Sequence, residues 1–182
     1  KVLEKQKKAE DKKIVDSIKE EGKYNLRSLK DDYKMDIRDY KKLQTGSDVL
    51  TLLQSFSVEF CTLSQRVELT AYAEKLAQNA NVVAMLDDGV CVGMAAIYTN
   101  DMNTKTAYIS LIGIRNKYQG TGLGSQLLDY CASEAQKAGM EKIRLEVDDD
   151  NANAQKFYRK HGFVLERTSE RNSSFLVWNF GK

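Results

Sequence analysis

The sequence predicts an α/β fold: a mixed, mostly antiparallel sheet flanked by helices, with an appended charged N-terminal helix. Three observations predict it. After Asn81 the hydrophobic period changes from helical spacing to strand-like runs. The first of these runs, Val82-Val83-Ala84-Met85-Leu86, ends at Asp87-Asp88-Gly89, a hairpin signal. Further on, a strand pattern enters a loop with glycines at 120, 122 and 124 and leaves it as an amphipathic helix.

The elements follow in order. Residues 1–23 are dense in Lys and Glu, with only Leu3, Ile14, Val15 and Ile18 as scattered apolar positions before Gly22. They read as a charged helix or linker outside the main domain, which is set at 24–182. Tyr24 to Ser28 reads as a short strand. Ile37, Tyr40 and Leu43 then fall at helical spacing, as do Val49, Leu52, Leu53 and Phe56. A further helix is expected to open at Ser64 as its N-cap and to carry Val67, Leu69, Tyr72, Ala73 and Leu76. Beyond the hairpin turn come strands over Val90 to Tyr98 and Thr106 to Ile114, separated by a polar turn at Asn100 to Asn103. A helix from Leu123 to Ala138 closes at Gly139, a strand spans Ile143 to Val147, and a helix spans Asn151 to His161. Two closing strands occupy Phe163 to Arg167 and Ser174 to Phe180, giving the order β-β-β-α-β-α-β-β.

Composition bounds the function. The chain has 182 residues, 42% hydrophobic and 30% charged, which suits one ordinary globular domain. A net charge of +2 creates no global field toward nucleic acid or a membrane surface, so neither is expected as a partner. No apolar run approaches the roughly 18–20 residues that cross a bilayer. Cys61, Cys91 and Cys131 are widely spaced and set among apolar residues, so they read as buried free thiols in a reducing cytoplasm. The start at Lys1 rather than Met points to a processed chain or a piece of a longer one. Pro is absent, and nothing in the sequence explains that.

The loop after the third strand carries the chemistry. Ile112-Gly113-Ile114-Arg115-Asn116-Lys117-Tyr118-Gln119-Gly120-Thr121-Gly122-Leu123-Gly124-Ser125 runs from strand through glycines into a helix start. The unpaired N–H groups of a first helical turn favour anionic oxygens, and the glycines let a ligand approach the main chain. A nucleotide P-loop would need Gly-Lys-Ser/Thr, whereas Gly124-Ser125-Gln126 has no lysine. A dinucleotide G-x-G-x-x-G does not fit the even spacing of Gly120, Gly122 and Gly124. The remaining pattern, Q/R-x-x-G-x-G/A, is met by Gln119, Gly122 and Gly124.

Downstream, Asn151, Ala154, Phe157, Tyr158, Gly162 and Phe163 fill the pattern N-x-x-A-x-x-F/L-Y-x-x-x-G-F. With these two motifs in this order, the chain resembles the GNAT family of N-acetyltransferases over about residues 82–180, loosely over the helices before them and not over residues 1–23. The resemblance implies an enzyme that uses acetyl-CoA as co-substrate, needs no metal, acts on an amine, and belongs to a family in which homodimers are common. It also implies that the strand before the loop splays from its neighbour at a bulge. The main-chain groups of Ile112, Gly113 and Ile114 would hold the acyl carbonyl and pantetheine, as fixed donors that stabilise developing charge. Gln119, Gly120, Thr121, Gly122, Leu123, Gly124 and Ser125 would take the pyrophosphate, with Asn151 on the same cofactor side.

Two catalytic residues follow from the same resemblance. Tyr158 matches the family tyrosine that donates a proton to the departing thiolate, a role open to a phenol protonated at neutral pH. Glu146 alternates with Leu145 and Val147 and so faces the other side of the sheet, and it precedes Tyr158 by twelve positions. That separation is similar to the base–acid pair of GNAT enzymes that acetylate ribosomal-protein N-termini, which makes Glu146 the candidate base. The structural alternatives are a packed tyrosine and a strand glutamate paired with Arg144 or Lys142. His161 reads as a helix C-terminal residue, and Asp148-Asp149-Asp150 as capping acids rather than a metal cluster.

The acceptor is less legible. Phe60-Cys61-Thr62-Leu63-Ser64-Gln65-Arg66-Val67 and Tyr72-Ala73-Glu74-Lys75-Leu76 resemble bacterial GNAT proteins encoded with glycan-biosynthesis enzymes. On that likeness Ser64, Arg66, Tyr98, Asn100 and Asp101 would line the acceptor side, and the acceptor would be a small amine, an amino sugar first. A protein or peptide N-terminus, or a non-catalytic CoA-sensing role, stays open beside it.

Overall fold

A computed structural model of the chain describes residues 39–60 and 62–181. The expected charged segment 1–23, the strand at 24–28 and Cys61 lie outside the described residues. The first described element corrects an expectation. Asp39–Leu43 is a strand (β1), not a helix, paired antiparallel from Asp39↔Leu86 to Leu43↔Val82. Its period decides the matter. Tyr40 stacks on Tyr130 at 4.4 Å and Lys42 meets Glu134 at 2.6 Å, so alternate side chains serve one face. The charges also suit an edge strand.

Helix α1 (Gly46–Ser55) starts at Thr45, whose hydroxyl accepts from the Asp48 amide at 3.1 Å. It buries Val49, Leu52 and Leu53, with Phe56 just beyond its end, as the spacing predicts. The next expected helix is in fact two. A short α2 (Leu63–Arg66) contains Ser64, and α3 (Leu69–Asn79) begins afresh. Its cap is Glu68, whose carboxylate oxygens accept from Thr70 N at 2.9 Å and Ala71 N at 2.7 Å. Ser64 is therefore not the cap.

From there the predicted order holds, with ends shifted by a residue or so. The strands are β2 (Asn81–Asp87), β3 (Val90–Tyr98) and β4 (Thr106–Ile114). Helix α4 (Leu123–Lys137), β5 (Lys142–Asp148), α5 (Ala152–Lys160), β6 (Val164–Ser169) and β7 (Ser173–Asn179) complete the chain. The β2–β3 turn is a two-residue loop with positive φ at both Asp88 (48°) and Gly89 (77°), the primed geometry that matches strand twist. Strand order is β1-β2-β3-β4-β5-β7-β6, and every pairing is antiparallel except β4 with β5.

Alternation gives the sheet two apolar faces. Val82, Ala84, Met94 and Ala96 bury against Val49, Leu52, Phe56, Ala73 and Leu76 of the α1–α3 layer. The opposite face packs on α4, which sinks Leu123, Leu127, Leu128, Cys131 and Ala135. Each large apolar side chain removed from water in this way contributes roughly 1.5–3 kcal/mol before chain entropy is charged against it. Cys131 is buried and free, and Cys91 is half-buried and free. No helix among the described residues is long and apolar enough to cross a membrane.

Two irregularities open the sheet at one place. Between β3 and β4 the register slips from Ala96↔Leu111 to Ile97↔Ile109, which leaves Ser110 as a bulge residue. The parallel pairing of β4 with β5 stops at Ile109↔Leu145. Beyond that point Leu111–Ile114 and Glu146–Asp148 diverge, and β4 is no longer paired with β5.

Candidate active site

A cleft of about 630 Å³ fills the space between the diverging strands. Tyr108, Ser110 and Ile112 of β4, Glu146 and Asp148 of β5, and Tyr158 of α5 all line it. Its outer wall comes from the α1–α2 connection, through Glu59, Phe60, Thr62, Leu63 and Arg66.

Arg115 holds that wall in place. Its Nε donates to Cys91 O at 3.0 Å, and its Nη2 donates to Ser55 Oγ at 3.1 Å. The guanidinium also sits 4.2 Å from the Phe56 ring centroid. The Glu59 carboxylate then accepts from Asn116 N at 3.2 Å. Phe60 is thereby laid over Gly113, so closely that a Cβ there would stand 2.5 Å from its ring. Any side chain at this position would force the ring to move.

The Gly-rich loop braces itself from inside. Gln119 Nε2 donates to Ile114 O at 3.0 Å and Asn116 Oδ1 at 3.1 Å. Gly120 (φ 80°) and Gly122 (φ 87°) take left-handed conformations, and Gly122 caps α4 without any side-chain bond. The first-turn N–H groups of Leu123, Gly124 and Ser125 are therefore not consumed by a cap, which is the arrangement a pyrophosphate needs. The loop itself is not part of the cleft lining.

Tyr158 packs edge-on against Phe163 at 5.5 Å and Phe157 at 5.3 Å. Burial, with a smaller contribution from Cys131, pushes its phenol up to about 12. Glu146 is exposed on its strand, and Ser173 Oγ donates to its Oε1. The alternative partner Arg144 is taken elsewhere, with Nη2 2.7 Å and Nε 2.6 Å from the Glu166 carboxylate. Tyr108 and Glu146 both line the cleft, and the Tyr108 phenol is raised first by burial and next by the charge of Glu146.

Asp148, at the end of β5, and Asp149 do not cap α5. Asp148 receives Arg66 Nη2 at 3.0 Å on both oxygens, and Asp149 accepts from Ser174 Oγ at 2.6 Å. Asn151 is the cap, accepting from Ala154 N at 3.1 Å, and it also borders the cleft.

Of the residues expected from sequence, the cleft brings together Ile112, Glu146, Asn151, Tyr158 and Arg66. It does not bring in Gly113, Ile114, Ser64, Tyr98, Asn100 or Asp101. Ser64 is exposed on α2, and Tyr98 is half-buried beside Tyr72. Asn100 Nδ2 donates to Asn79 O at 3.4 Å, and Asp101 closes its own turn on Thr104. Sequence reasoning missed Tyr108, Ser110 and Glu59. The signal for the first two was present, as polar groups at alternate positions of an otherwise apolar strand. Ser110 Oγ lies 2.7 Å from the hydroxyl of Tyr72 on α3.

Comparison with known proteins bears on the family and the fold. Residues 48–163 match the model of the acetyltransferase (GNAT) family. The chain is 25% identical over 136 residues to san of Drosophila melanogaster, named as an N-acetyltransferase, which covers 74% of this chain and 66% of that one. A Bacillus anthracis acetyltransferase assigned to streptothricin, solved with acetyl coenzyme A, is 26% identical with a TM-score of 0.51. That match covers 56% of this chain and 63% of the other, so the chain spans less than two thirds of either relative. The paiA N-acetyltransferase of Thermoplasma acidophilum, solved with coenzyme A, shares the fold at a TM-score of 0.61. Its identity is 16%, over 79% of this chain and all of that one (100%).

Proposed function

The chain belongs to the GNAT family of acetyltransferases, and on that premise we propose that it transfers an acetyl group from acetyl-CoA to a primary amine of a small molecule. An amino sugar is the first acceptor class. One observation supports the reading: where β4 parts from β5, Ile112, Glu146 and Tyr158 line one cleft, and β4 runs on into the glycine loop.

The residues present fit the co-substrate. The N–H groups of Leu123, Gly124 and Ser125 would hold the pyrophosphate. The β5-facing main-chain groups of Ile112 and the Ile114 N–H would hold pantetheine and the acyl oxygen, with Gly113 paired to Met94 of β3 and Ile114 O taken by Gln119. Acetyl-CoA supplies a thioester carbonyl open to attack by a neutral amine. Glu146 takes the proton that the amine must lose, directly or through one water, with Ser173 fixing the carboxylate. As the C–N bond forms and the C–S bond breaks, main-chain N–H groups of β4 stabilise charge on the acyl oxygen. The Tyr158 hydroxyl donates to the departing sulfur. With its phenol near 12, it keeps its proton at any working pH.

The Arg66–Asp148 ion pair joins α2 to the end of β5, two parts of the cleft lining. Such a strap supports a small acceptor over a chain drawn through an open groove. The peptide N-terminus remains the second reading, favoured by the twelve-position separation of Glu146 and Tyr158. A thiol-release screen of amino sugars, polyamines and short peptides tests both. Turnover on amino sugars is expected. Turnover on peptides alone would favour the second reading, and binding of acetyl-CoA without turnover on any amine would leave a sensing module.

A further inference from the structure

We infer that His161 is a positioning residue that ties the helix carrying Tyr158 to the first turn of the helix that would hold the pyrophosphate. The inference rests on the acetyl-CoA reading above and extends it to a residue that touches neither co-substrate nor acceptor.

Helix α5 meets the start of α4 through Phe157 and His161, one helical turn apart. A Cβ on Gly124 would be 3.5 Å from two atoms of the Phe157 ring, so that ring lies directly on the glycine. The His161 ring follows at 4.4 Å from the Phe157 centroid. Its Nδ1 is 2.8 Å from Phe157 O, and its Nε2 is 2.9 Å from Ser125 Oγ.

The chemistry of the partners orients these bonds. A carbonyl oxygen only accepts, so Nδ1 carries the hydrogen. In the neutral ring Nε2 is then an acceptor, and the Ser125 hydroxyl donates to it. The bond to Phe157 O would serve any histidine at a helix C-terminus. The bond to Ser125 is different, because it joins two helices across a separation of 36 residues. It also commits the Ser125 proton to His161, which leaves the main-chain N–H as what Ser125 offers an anion.

Tyr158 is the next residue after Phe157 and lines the cleft. Any slip of α5 along α4 therefore moves the Tyr158 hydroxyl relative to a cofactor anchored at α4. His161 sets that spacing, so its loss acts on the chemical step while the anion site stays intact.

The test uses the full chain with H161A, S125A, the double variant and H161Q. It reads kcat, the KM of acetyl-CoA, calorimetric acetyl-CoA affinity and Tm. Displacement of a reacting group by an ångström can reduce rate by 10²-fold, and a part of that, about 10-fold in kcat, is expected for H161A and for S125A. The double variant should lose no more than either single one, because one bond is removed in all three. Acetyl-CoA affinity should stay within about 2-fold of wild type. H161Q should recover most of kcat, since its amide oxygen can accept from Ser125.

Wild-type kcat in H161A, additive losses, affinity falling in step with kcat/KM, or no recovery in H161Q would each overturn the inference. Wild-type protein that neither binds acetyl-CoA nor turns over would overturn the parent reading, and this one with it. Wild-type turnover beside an unaffected H161A would overturn this one alone.

Discussion

Replacing Gly113 by alanine probes the wall of the cleft with a single carbon. Its Cβ would stand 2.5 Å from Phe60 Cζ and 2.7 Å from Cε1. Ordinary carbon contacts lie at about 3.5–4 Å, so the ring must retreat by about 1 Å. It has little room on one side, because it stacks on Phe56 at 5.6 Å and Phe56 is fully buried under Arg115. Overpacking of this kind costs about 1–3 kcal/mol. For a domain of this size a loss of about 2 kcal/mol lowers Tm by about 4–8 °C. Phe60 also borders the cleft, and a shift of about 1 Å beside the reacting groups can reduce kcat/KM by up to about 100-fold. Thermal melts and steady-state kinetics on G113A, with F60L added as the relieving second change, read both effects. G113A should lose stability and activity together, and G113A/F60L should regain part of each. A Tm within about 1 °C of wild type with unchanged kcat/KM would refute the packing argument.

Other outcomes follow from the same site. Y158F keeps the ring packing on Phe163 but removes the hydroxyl, so kcat should fall by roughly 10²–10⁴-fold with acetyl-CoA affinity retained. E146Q should lower kcat by about 10²-fold or more, and a rate within about 2-fold of wild type would remove Glu146 from the base role. Because Tyr158 titrates near 12 rather than 10.0, its deprotonation should impose no fall in rate up to about pH 11, which a pH–rate profile would show. Stability behaves differently at high pH. Burial raises Cys131 from 9.0 to about 12 and Tyr158 from 10.0 to about 12. Both folded values exceed the unfolded ones, so this stabilisation is complete below pH 9 and is lost as pH rises toward 12. By pH 11 the two together should forfeit about 4 kcal/mol, seen as a falling midpoint in urea. C131A would remove the larger share of that slope.

Much of the fold was legible because its punctuation is local. Asp87-Asp88-Gly89 and the switch from period 3.6 to period 2 mark strands without reference to anything distant. The glycine loop and the Asn151–Phe163 run were legible for the same reason. Asp39–Leu43 was not, because a five-residue segment with three charges carries no period of its own and becomes a strand only by pairing with β2. The helix break at Val67 was hidden by an unusual cap, a glutamate reaching two amides. Asp148 and Asp149 read as caps because their true partners, Arg66 and Ser174, are 82 and 25 residues away. Tyr108 and Ser110 were hidden differently. Their place in the site depends on where β4 parts from β5, and a bulge shifts the facing of every residue after it.

The most direct measurement is calorimetric titration of acetyl-CoA into the intact chain. Saturable one-site binding in the micromolar range is the predicted result, with the glycine loop and the free edge of β4 holding the cofactor. No saturable binding would mean that Gln119 to Gly124 is only a turn, and an acetyl-CoA-dependent activity for this chain would be contradicted.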